Sequence, residues 1–280
     1  MIILDGKKVA ETTRKRLKEN VLKEFVNKKA PTLAVVLIGD DPASQIYVTN
    51  KEKACAEIGI NSVVVRQDKE ISESEVLKII DKLNKDVNVD AILVQLPLPK
   101  HINERKIINA IDPGKDVDAL SEISMGRLVH GLNVIMPCTP LGIVTLLNEY
   151  GINFSGKHVV IVGRSLLVGR PMEIIAEKMN ATTTLCHSKT KDLSKFTKQA
   201  DILIVATGKP HLIKADMVRR GAIVVDVGIT KQSGKLFGDV DFDKVSKKCS
   251  YITPVPGGVG PMTIVGLMIN TISLAKNRNS

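Results

Sequence analysis

The sequence predicts an α/β fold with two domains, each built on a parallel sheet. Strand-like and helix-like segments alternate almost throughout the chain, and the alternation restarts near residue 157. The chain has 280 residues, which is enough for two medium-sized domains. Strands that alternate with helices pair in parallel through right-handed crossovers, and such open sheets bind ligands beyond the carboxyl ends of their strands.

The first half contains three predicted strands separated by two helices. The strands are expected over 32–39, 61–67 and 90–99, and two prolines stop the last one. One helix is expected over 44–60, with Ser44 as its N-cap and Gly59 at its end. A second helix over 72–86 begins with a capping box, S-E-S-E, at its first residue.

The second half repeats this alternation and ends in a long helix. Strands are predicted over 157–163, 181–188, 201–207 and 221–228. A bridging helix over 137–152 precedes them, and a final helix over 261–277 is expected to pack on the first half. We therefore predict one domain of residues 1–140 plus 262–280 and a second domain of residues 141–261.

Composition and charge argue against several classes of function. Aromatic residues make up only 3% of the chain and Trp is absent, so a surface that stacks nucleic-acid bases is not expected. The net charge of +10 is spread along the chain. It indicates either an ordinary lysine-rich surface or attraction for a polyanionic ligand.

The cysteines and the N-terminus favour a cytoplasmic protein without a metal site. The four cysteines are far apart and show no zinc-like spacing with each other or with histidine, so we expect reduced thiols. The first residues include an acid at position 5 and too short an apolar run for a signal peptide. No apolar stretch is expected to reach the roughly 20 residues of a membrane span.

The helix over 44–60 carries a lysine where a core residue is expected. The stripe predicted to be buried consists of Tyr47, Lys51, Ala54, Cys55 and Ile58. A lysine in such a stripe often extends its ammonium to solvent. If the amine is buried instead, desolvation favours its neutral form and lowers its pKa from the usual value near 10.4.

The loop GRSLLVG (163–169) leads from a predicted strand into a helix. It differs from the G-x-G-x-x-G pattern because Ser165 occupies the place of the second glycine. An ordinary tight turn would look similar, but a loop between a strand and a helix can direct backbone N–H groups at a phosphate. We therefore predict a Rossmann-like dinucleotide-binding domain in the second half.

The end of the next strand distinguishes the two nicotinamide cofactors. An NAD site usually has an acid there, whereas this chain reads CHSKT, with Ser188 and two basic neighbours, His187 and Lys189. Hydroxyl and cationic groups accept a 2′-phosphate that a carboxylate would repel, and Arg164 could bind it with two of its guanidinium nitrogens. NADP is expected, and NAD is less favoured.

Six short motifs together resemble one enzyme family over essentially the whole chain. They are YVTNK (47–51), VQLPLP (94–99), KDVDAL (115–120), PCTP (137–140), GRSLLVG (163–169) and TPVPGGVGPMT (253–263). The chain is similar to the bifunctional methylenetetrahydrofolate dehydrogenase/methenyltetrahydrofolate cyclohydrolase family. Members have two α/β domains with folate and nicotinamide in the cleft between them, and they are usually homodimers.

The resemblance implies a reaction sequence in one-carbon metabolism, which supplies purine and amino-acid biosynthesis. NADP oxidises 5,10-methylenetetrahydrofolate to the 5,10-methenyl cation, and water converts that cation to 10-formyltetrahydrofolate. The folate substrate is expected with or without a polyglutamate tail. No metal, nucleic acid or membrane takes part.

The resemblance also assigns roles to residues. Lys51 is the catalytic residue, Tyr47 and Gln95 lie beside it, and Asp118 holds the pterin. The remaining expected substrate contacts are Val94, Leu96, Pro256, Gly257 and Gly258. The expected cofactor contacts are Gly163, Arg164, Ser165, Ser188 and Ile229.

Two residues depart from the family pattern. Ala119 follows D-V-D where relatives usually have Gly, and it would be strained if the site needs a positive φ. Leu166 follows G-R-S where relatives often have Asn or Asp. Asp116, the first acid of D-V-D, is expected to be a turn or capping residue and not a ligand of the substrate.

Without the resemblance, three other functions stay open. The protein could be another NADP-dependent dehydrogenase that acts on small acids, with Lys51 as proton donor. It could be a lyase in which Lys51 forms a Schiff base. It could also be a nucleotide-binding regulator without enzymatic activity.

Overall fold

The computed structural model describes residues 1–132, 135–232 and 234–278. They form two compact units. The Lys51 unit comprises Thr12–Cys138 and Leu267–Ser280, and the Gly163 unit comprises Met1–Glu11 and Thr139–Gly266. These limits differ from the predicted domains in that residues 1–11, 139–140 and 262–266 belong to the Gly163 unit. Residues 279 and 280, which the prediction included, lie outside the described residues.

The elements alternate as the sequence predicted. The strands are β1 (Ile2–Ile3), β2 (Thr32–Ile38), β3 (Asn61–Gln67), β4 (Ala91–Val94), β5 (His158–Val162), β6 (Thr182–Cys186), β7 (Ile202–Val205), β8 (Ile223–Asp226), β9 (Thr230–Gln232), β10 (Lys235–Phe237) and β11 (Tyr251–Ile252). The α-helices are α1 (Gly6–Glu24), α2 (Pro42–Ile58), α3 (Glu73–Lys85), α4 (Glu104–Asn109), α5 (Glu122–Val129), α6 (Cys138–Glu149), α7 (Gly169–Lys178), α8 (Leu193–Thr197), α9 (Phe242–Val245) and α10 (Val259–Arg278).

The Lys51 unit contains a three-stranded parallel sheet in the order β3-β2-β4. All seven residues of the central strand β2 are buried, as expected for a parallel strand covered on both faces. Its core also contains Val76 and Ile80 of α3 and Ile107 of α4. The carboxyl ends of β2 and β4 are therefore supported by a buried apolar core.

The Gly163 unit contains a six-stranded sheet in the order β1-β11-β8-β7-β5-β6, in which all the pairings are parallel. The chain passes from β5 to β6 on one side and then crosses to β7 on the other side of β5. This reversal is the switch point at which open α/β sheets bind ligands. A separate antiparallel pair, β9 and β10, follows β8.

The ends of the elements show where local signals were sufficient. The capping box of α3 is confirmed, because Ser72 Oγ accepts from Glu75 N and Glu75 accepts from Ser72 N. Gly59 ends α2 in the left-handed region with φ 85°. The predicted N-cap of α2 is wrong: Asp41 caps the helix by accepting from the N–H of Ser44 at 2.8 Å, and Pro42 follows it.

The predicted third strand is shorter than expected. It was placed over 90–99, but β4 ends at Val94. The chain then enters a segment with Pro97 and Pro99, which cannot donate to a strand ladder, and the Leu96–Pro97 bond is cis. Gln95 thus stands at the carboxyl edge of the sheet instead of within a strand.

The last helix, α10, is long and apolar. Residues 259–277 have the length and composition of a membrane span, so the expectation that no stretch reaches this size is wrong. However, 61% of the most apolar 18-residue stretch of this helix is buried inside the protein, as in the core helix of a globular fold. The prediction that this helix packs on the first half is confirmed, since Asn270 donates to Val117 O at 2.9 Å.

Candidate active site

Lys51 and Gln95 form the polar centre of the Lys51 unit. Lys51 lies on α2 and Gln95 directly follows β4, and the lysine Nζ donates to Gln95 Oε1 at 2.9 Å. The Gln95 amide is oriented at its other end, because its Nε2 donates to Leu96 O at 2.8 Å. The sequence-based expectation that Gln95 lies beside the lysine is confirmed.

Burial changes the ionisation of the groups around Lys51. It lowers the pKa of the Lys51 amine, although the negative charge of Asp118 opposes this shift. Burial raises the pKa of the Asp118 carboxyl, and Lys51 tempers that rise. It also raises the pKa of Cys55 to about 12, so this thiol stays protonated. The predicted direction of the pKa shift of Lys51 is confirmed.

Tyr47 does not belong to the buried stripe in which it was predicted. It is 42% exposed, whereas the next residue, Val48, is fully buried. Within the described residues, Lys51 Nζ bonds to Gln95 and not to the Tyr47 phenol. The Tyr47 ring is therefore exposed to solvent one turn before Lys51, where a flat ligand can pack against it.

The loop that carries Asp118 is held from several sides. Asp116 accepts from Ser121 N at 2.9 Å and from Ser124 Oγ at 2.8 Å, so its expected role as a turn residue is confirmed. The Cys138 thiol donates to Val117 O at 3.4 Å. Buried Asn270 on α10 donates to Val117 O and to Met136 O.

Asn270 and the role of Cys138 were missed at the level of sequence. The available signal for Asn270 was a single amide within the apolar segment GLMINTISLA, since a buried amide needs partners. Nothing local indicates which carbonyl groups it serves. Val94, which is buried, and Leu96, which is half-buried, flank Gln95 as predicted from its position in the motif.

Ala119 adopts φ +52°, so the departure from the usual glycine places an L-residue in the left-handed region. This conformation costs about 1–2 kcal/mol, of which a glycine's extra loss of entropy would cancel about 0.5–1 kcal/mol. We expect Ala119→Gly to raise the Tm of purified protein by roughly 2 °C. Ala110→Gly, at a site with φ −80°, should lower it. Equal shifts for both variants would contradict strain at residue 119.

The GRSLLVG loop requires glycine at both ends. Gly163 has φ +120°, and a Cβ on it would lie 2.1 Å from Ala206 O, at the switch point of the sheet. A Cβ on Gly169 would lie 1.9 Å from Gly163 O, so α7 begins directly against the loop. Ser165 Oγ accepts from Val168 N at 3.2 Å. These contacts form a backbone cradle that a phosphate can approach closely.

Arg164 and Ser188 are exposed on neighbouring loops. Gly163 N donates to Cys186 O at 2.9 Å, which brings the loop after β5 next to the loop after β6. In the second loop His187 N donates to Thr190 Oγ1 at 2.9 Å, and residues 187–190 include no acid. The residues therefore fit a 2′-phosphate. Leu166 is 56% exposed, so its side chain does not shape the cradle.

The segment Pro256–Gly258 is tied to the start of α1. Gly257 O accepts from Lys7 N at 2.9 Å, and a Cβ on Gly6 would lie 1.8 Å from Gly258 O. The Val255–Pro256 bond is cis. Ile229 follows β8 and is 41% exposed.

In the parts of the chain that the structure describes, no group of three or more His, Cys, Asp or Glu residues could hold a metal ion.

Proteins similar to this chain match it over almost its whole length. The family model for the catalytic domain of tetrahydrofolate dehydrogenase/cyclohydrolase matches residues 4–118, and the model for its NAD(P)-binding domain matches residues 137–279. The chain is 51% identical to the bifunctional protein FolD of Aquifex aeolicus, over 99% of this chain and 96% of that protein. It is 53% identical to FolD of Exiguobacterium sibiricum, over 98% and 99%.

Solved structures give the same result. The bifunctional FolD of Campylobacter jejuni superposes with a TM-score of 0.97 at 51% identity, covering 99% of both chains. The Trypanosoma brucei dehydrogenase-cyclohydrolase, solved in complex with NADP cofactor and inhibitor, superposes with a TM-score of 0.94 at 35% identity. That likeness covers 99% of this chain and 98% of the other.

Proposed function

The chain belongs to the tetrahydrofolate dehydrogenase/cyclohydrolase family, and from that premise we propose how its own residues carry out the two reactions. The enzyme oxidises 5,10-methylenetetrahydrofolate to the 5,10-methenyl compound with NADP and hydrolyses the product to 10-formyltetrahydrofolate in one-carbon metabolism. Family membership replaces the alternatives of a small-acid dehydrogenase, a Schiff-base lyase and a regulator.

Lys51 is the group that moves protons in the hydrolytic step. A lysine at its usual pKa would be charged near neutral pH and could not act as a base. The bond from its amine to Gln95 and its lowered pKa, caused by burial, are the observations that carry this assignment. The positive charge of the methenyl compound would favour the neutral amine further. Neutral Lys51 can then activate water and pass a proton during ring opening.

The folate is held by residues around this amine. Asp118 accepts hydrogen bonds from the amino group and a ring N–H of the pterin, and these donors favour its ionised form. The exposed ring of Tyr47 packs on the folate. Gln95 sets the direction of the amine, and Val94 and Leu96 line its approach. We assign the segment Pro256–Gly258 to folate contacts as well.

The cofactor belongs to the Gly163 unit. NADP supplies the acceptor for the hydride that leaves the bridging carbon. The backbone of Gly163 and Ser165 approaches the diphosphate, because neither glycine of the loop has room for a side chain. Arg164 and Ser188 bind the 2′-phosphate, and Ile229 contacts the nicotinamide end.

An absorbance assay tests this function directly. Purified protein is mixed with methylenetetrahydrofolate and either NADP or NAD, and reduction of the cofactor is followed. Methenyltetrahydrofolate is then supplied alone, and its loss is measured. We expect both activities, with NADP preferred. Absence of cofactor reduction together with absence of methenyl hydrolysis would contradict the proposed function.

Arg164→Ala should weaken NADP far more than NAD. Removing a guanidinium from the 2′-phosphate loses a charge-assisted contact of about 1.5–3 kcal/mol, which corresponds to a rise in KM for NADP of roughly 10- to 100-fold. The KM for NAD, which lacks this phosphate, should change less than threefold. Arg220→Ala, at another exposed arginine of the same unit, should leave both values unchanged. Equal losses with both cofactors would exclude a role at the 2′-phosphate.

The enzyme acts as a cytoplasmic homodimer on folates with or without polyglutamate tails. Support for the dimer comes from β3, which forms one edge of its sheet and pairs with β2 within the described residues. The other edge is covered, since Ile92 of β4 bridges to Asp116. An uncovered strand edge favours pairing with another strand, and Val63 on β3 is 47% exposed.

Val63→Lys should therefore weaken the dimer. A lysine on an edge strand opposes pairing, and we expect the dimer dissociation constant to rise at least about tenfold. Light scattering coupled to gel filtration over a range of concentrations measures it. Ile123→Lys, at another exposed apolar residue, is the control. An unchanged dimer in the Val63 variant would place the interface elsewhere.

A further inference from the structure

Two buried carboxylates, Asp226 and Asp239, lie beneath the loops that follow β7 and β8. Asp226 is the last residue of β8 and is 4% exposed, whereas Asp239 follows the β9–β10 pair and is fully buried. The roles assigned above use neither of them. Buried carboxylates are costly, so their partners identify what they do.

Asp239 holds the loop after β7 with a single oxygen. Its Oδ2 accepts from Thr207 N at 2.5 Å, from Thr207 Oγ1 at 2.9 Å and from Gly208 N at 3.0 Å. This loop begins at Ala206, whose carbonyl oxygen is the atom that leaves no room for a side chain on Gly163. The Asp239 carboxylate therefore holds the backbone at residues 206–208 in place. This backbone lies across the switch point from the phosphate cradle.

The same carboxylate packs against the loop after β8. A Cβ on Gly228 would lie 2.2 Å from Asp239 Oδ1, so the carboxylate sits directly on the Gly228 backbone, one residue before Ile229. Among the described residues this Oδ1 has no hydrogen-bond partner. Asp226 completes the arrangement by accepting from Gly228 N, from Asp239 N and from Val240 N, at 3.0, 3.0 and 2.9 Å.

Stability alone does not explain the charge on Asp239. An asparagine could accept the same three hydrogen bonds without the cost of burying a carboxylate whose second oxygen has no partner. Bonds to an ionised acceptor are, however, shorter and roughly twice as strong as neutral ones. The charge thus adds rigidity at Thr207 and Gly208, which flank the switch point where the cofactor binds.

We propose that Asp239 is a positioning residue of the dehydrogenase reaction, which holds the loops at Thr207–Gly208 and Gly228–Ile229 in the geometry that NADP requires. It does not contact the reacting atoms. The inference rests on the proposed function, because it presumes that NADP binds at this switch point. It predicts that loss of the charge impairs the step that needs NADP and spares the step that does not.

Asp239→Asn in the full-length protein tests the proposal. The KM for NADP in the oxidation of methylenetetrahydrofolate should rise at least about tenfold, with a smaller fall in kcat. Hydrolysis of methenyltetrahydrofolate supplied alone should stay within twofold of wild type. Asp241→Asn is the matched control, since Asp241 lies on the same segment but pairs with Lys214 and Lys244. It should leave the KM for NADP unchanged.

A second variant and a binding measurement cover failure of the first variant to fold. Thr207→Val removes one donor to Asp239 and should raise the KM for NADP in the same direction by a smaller factor. Calorimetric titration with NADP should show the same order of dissociation constants. An unchanged KM for NADP, or parallel loss of both activities in soluble Asp239→Asn, would overturn the inference. Wild-type protein that neither binds nor reduces NADP would instead overturn the proposed function.

Discussion

Lys51→Ala is expected to abolish methenyltetrahydrofolate hydrolysis while NADP binding persists. The variant removes the only atom of this side chain that can accept and release a proton near neutral pH. Proton transfer by a positioned group contributes about 10²- to 10⁴-fold to a rate. The amine is held by Gln95 and has its pKa lowered by burial, both within the Lys51 unit. The residues assigned to NADP belong to the Gly163 unit, so the cofactor dissociation constant should change less than threefold.

Lys53→Ala provides the matched control on the same helix, since Lys53 is exposed to solvent. It should leave both activities at wild-type values. The pH dependence adds a second readout. Because the neutral amine is the active form, hydrolysis by wild-type protein should increase as pH rises through the lowered pKa of Lys51, and the variant should lose this increase. Hydrolysis by Lys51→Ala at the wild-type rate would show that another group moves the proton.

The fold class could be predicted from sequence because both signals that specify it are local. A continuous apolar segment such as 32–38 indicates a strand covered on both faces, and a capping box such as Ser72 with Glu75 indicates where a helix begins. Strand ends were less predictable. The two-residue strands β1 and β11 have too few residues for any periodicity, and they exist because each pairs with a neighbour distant in sequence.

The buried face of α2 shows the limit of periodicity. The predicted stripe placed Tyr47 inside, yet Val48 is buried and Tyr47 is exposed. Small or apolar residues occur on several faces of this helix, so spacing alone does not decide which face meets the sheet. Lys51 remains partly covered in either arrangement. Its proximity to Gln95 followed from the resemblance and not from the pattern.

Residues that support the site through distant contacts had no local signal. Asn270 serves carbonyl groups more than 130 positions earlier in the chain, and Asp239 reaches back 32 positions to Thr207. Only the folded chain shows that these polar side chains converge on loops. Ala119, in contrast, could be singled out from the sequence, because an alanine at a position where glycine is usual raises the question of backbone strain. The structure answers that question with φ +52°.

Gly163→Ala is expected to eliminate NADP-dependent oxidation and to leave methenyl hydrolysis intact. The new methyl carbon would lie 2.1 Å from Ala206 O. Residues 163 and 206 directly follow the adjacent strands β5 and β7, so neither backbone segment can easily move away. The loop must move, and the residue must also keep φ near +120° or abandon it. Overpacking and backbone strain together cost about 2–4 kcal/mol, or roughly 30- to 1000-fold in affinity for NADP.

Gly156→Ala separates the clash from backbone strain. Gly156 has φ +70° but no atom lies within 4 Å of a Cβ built on it, so this variant introduces strain without a collision. It should lose a little stability and keep its KM for NADP. Cofactor titration and both activity assays on the two variants decide the matter. If Gly163→Ala binds NADP as tightly as Gly156→Ala does, the close approach of backbone to phosphate at residue 163 is not what the cofactor site requires.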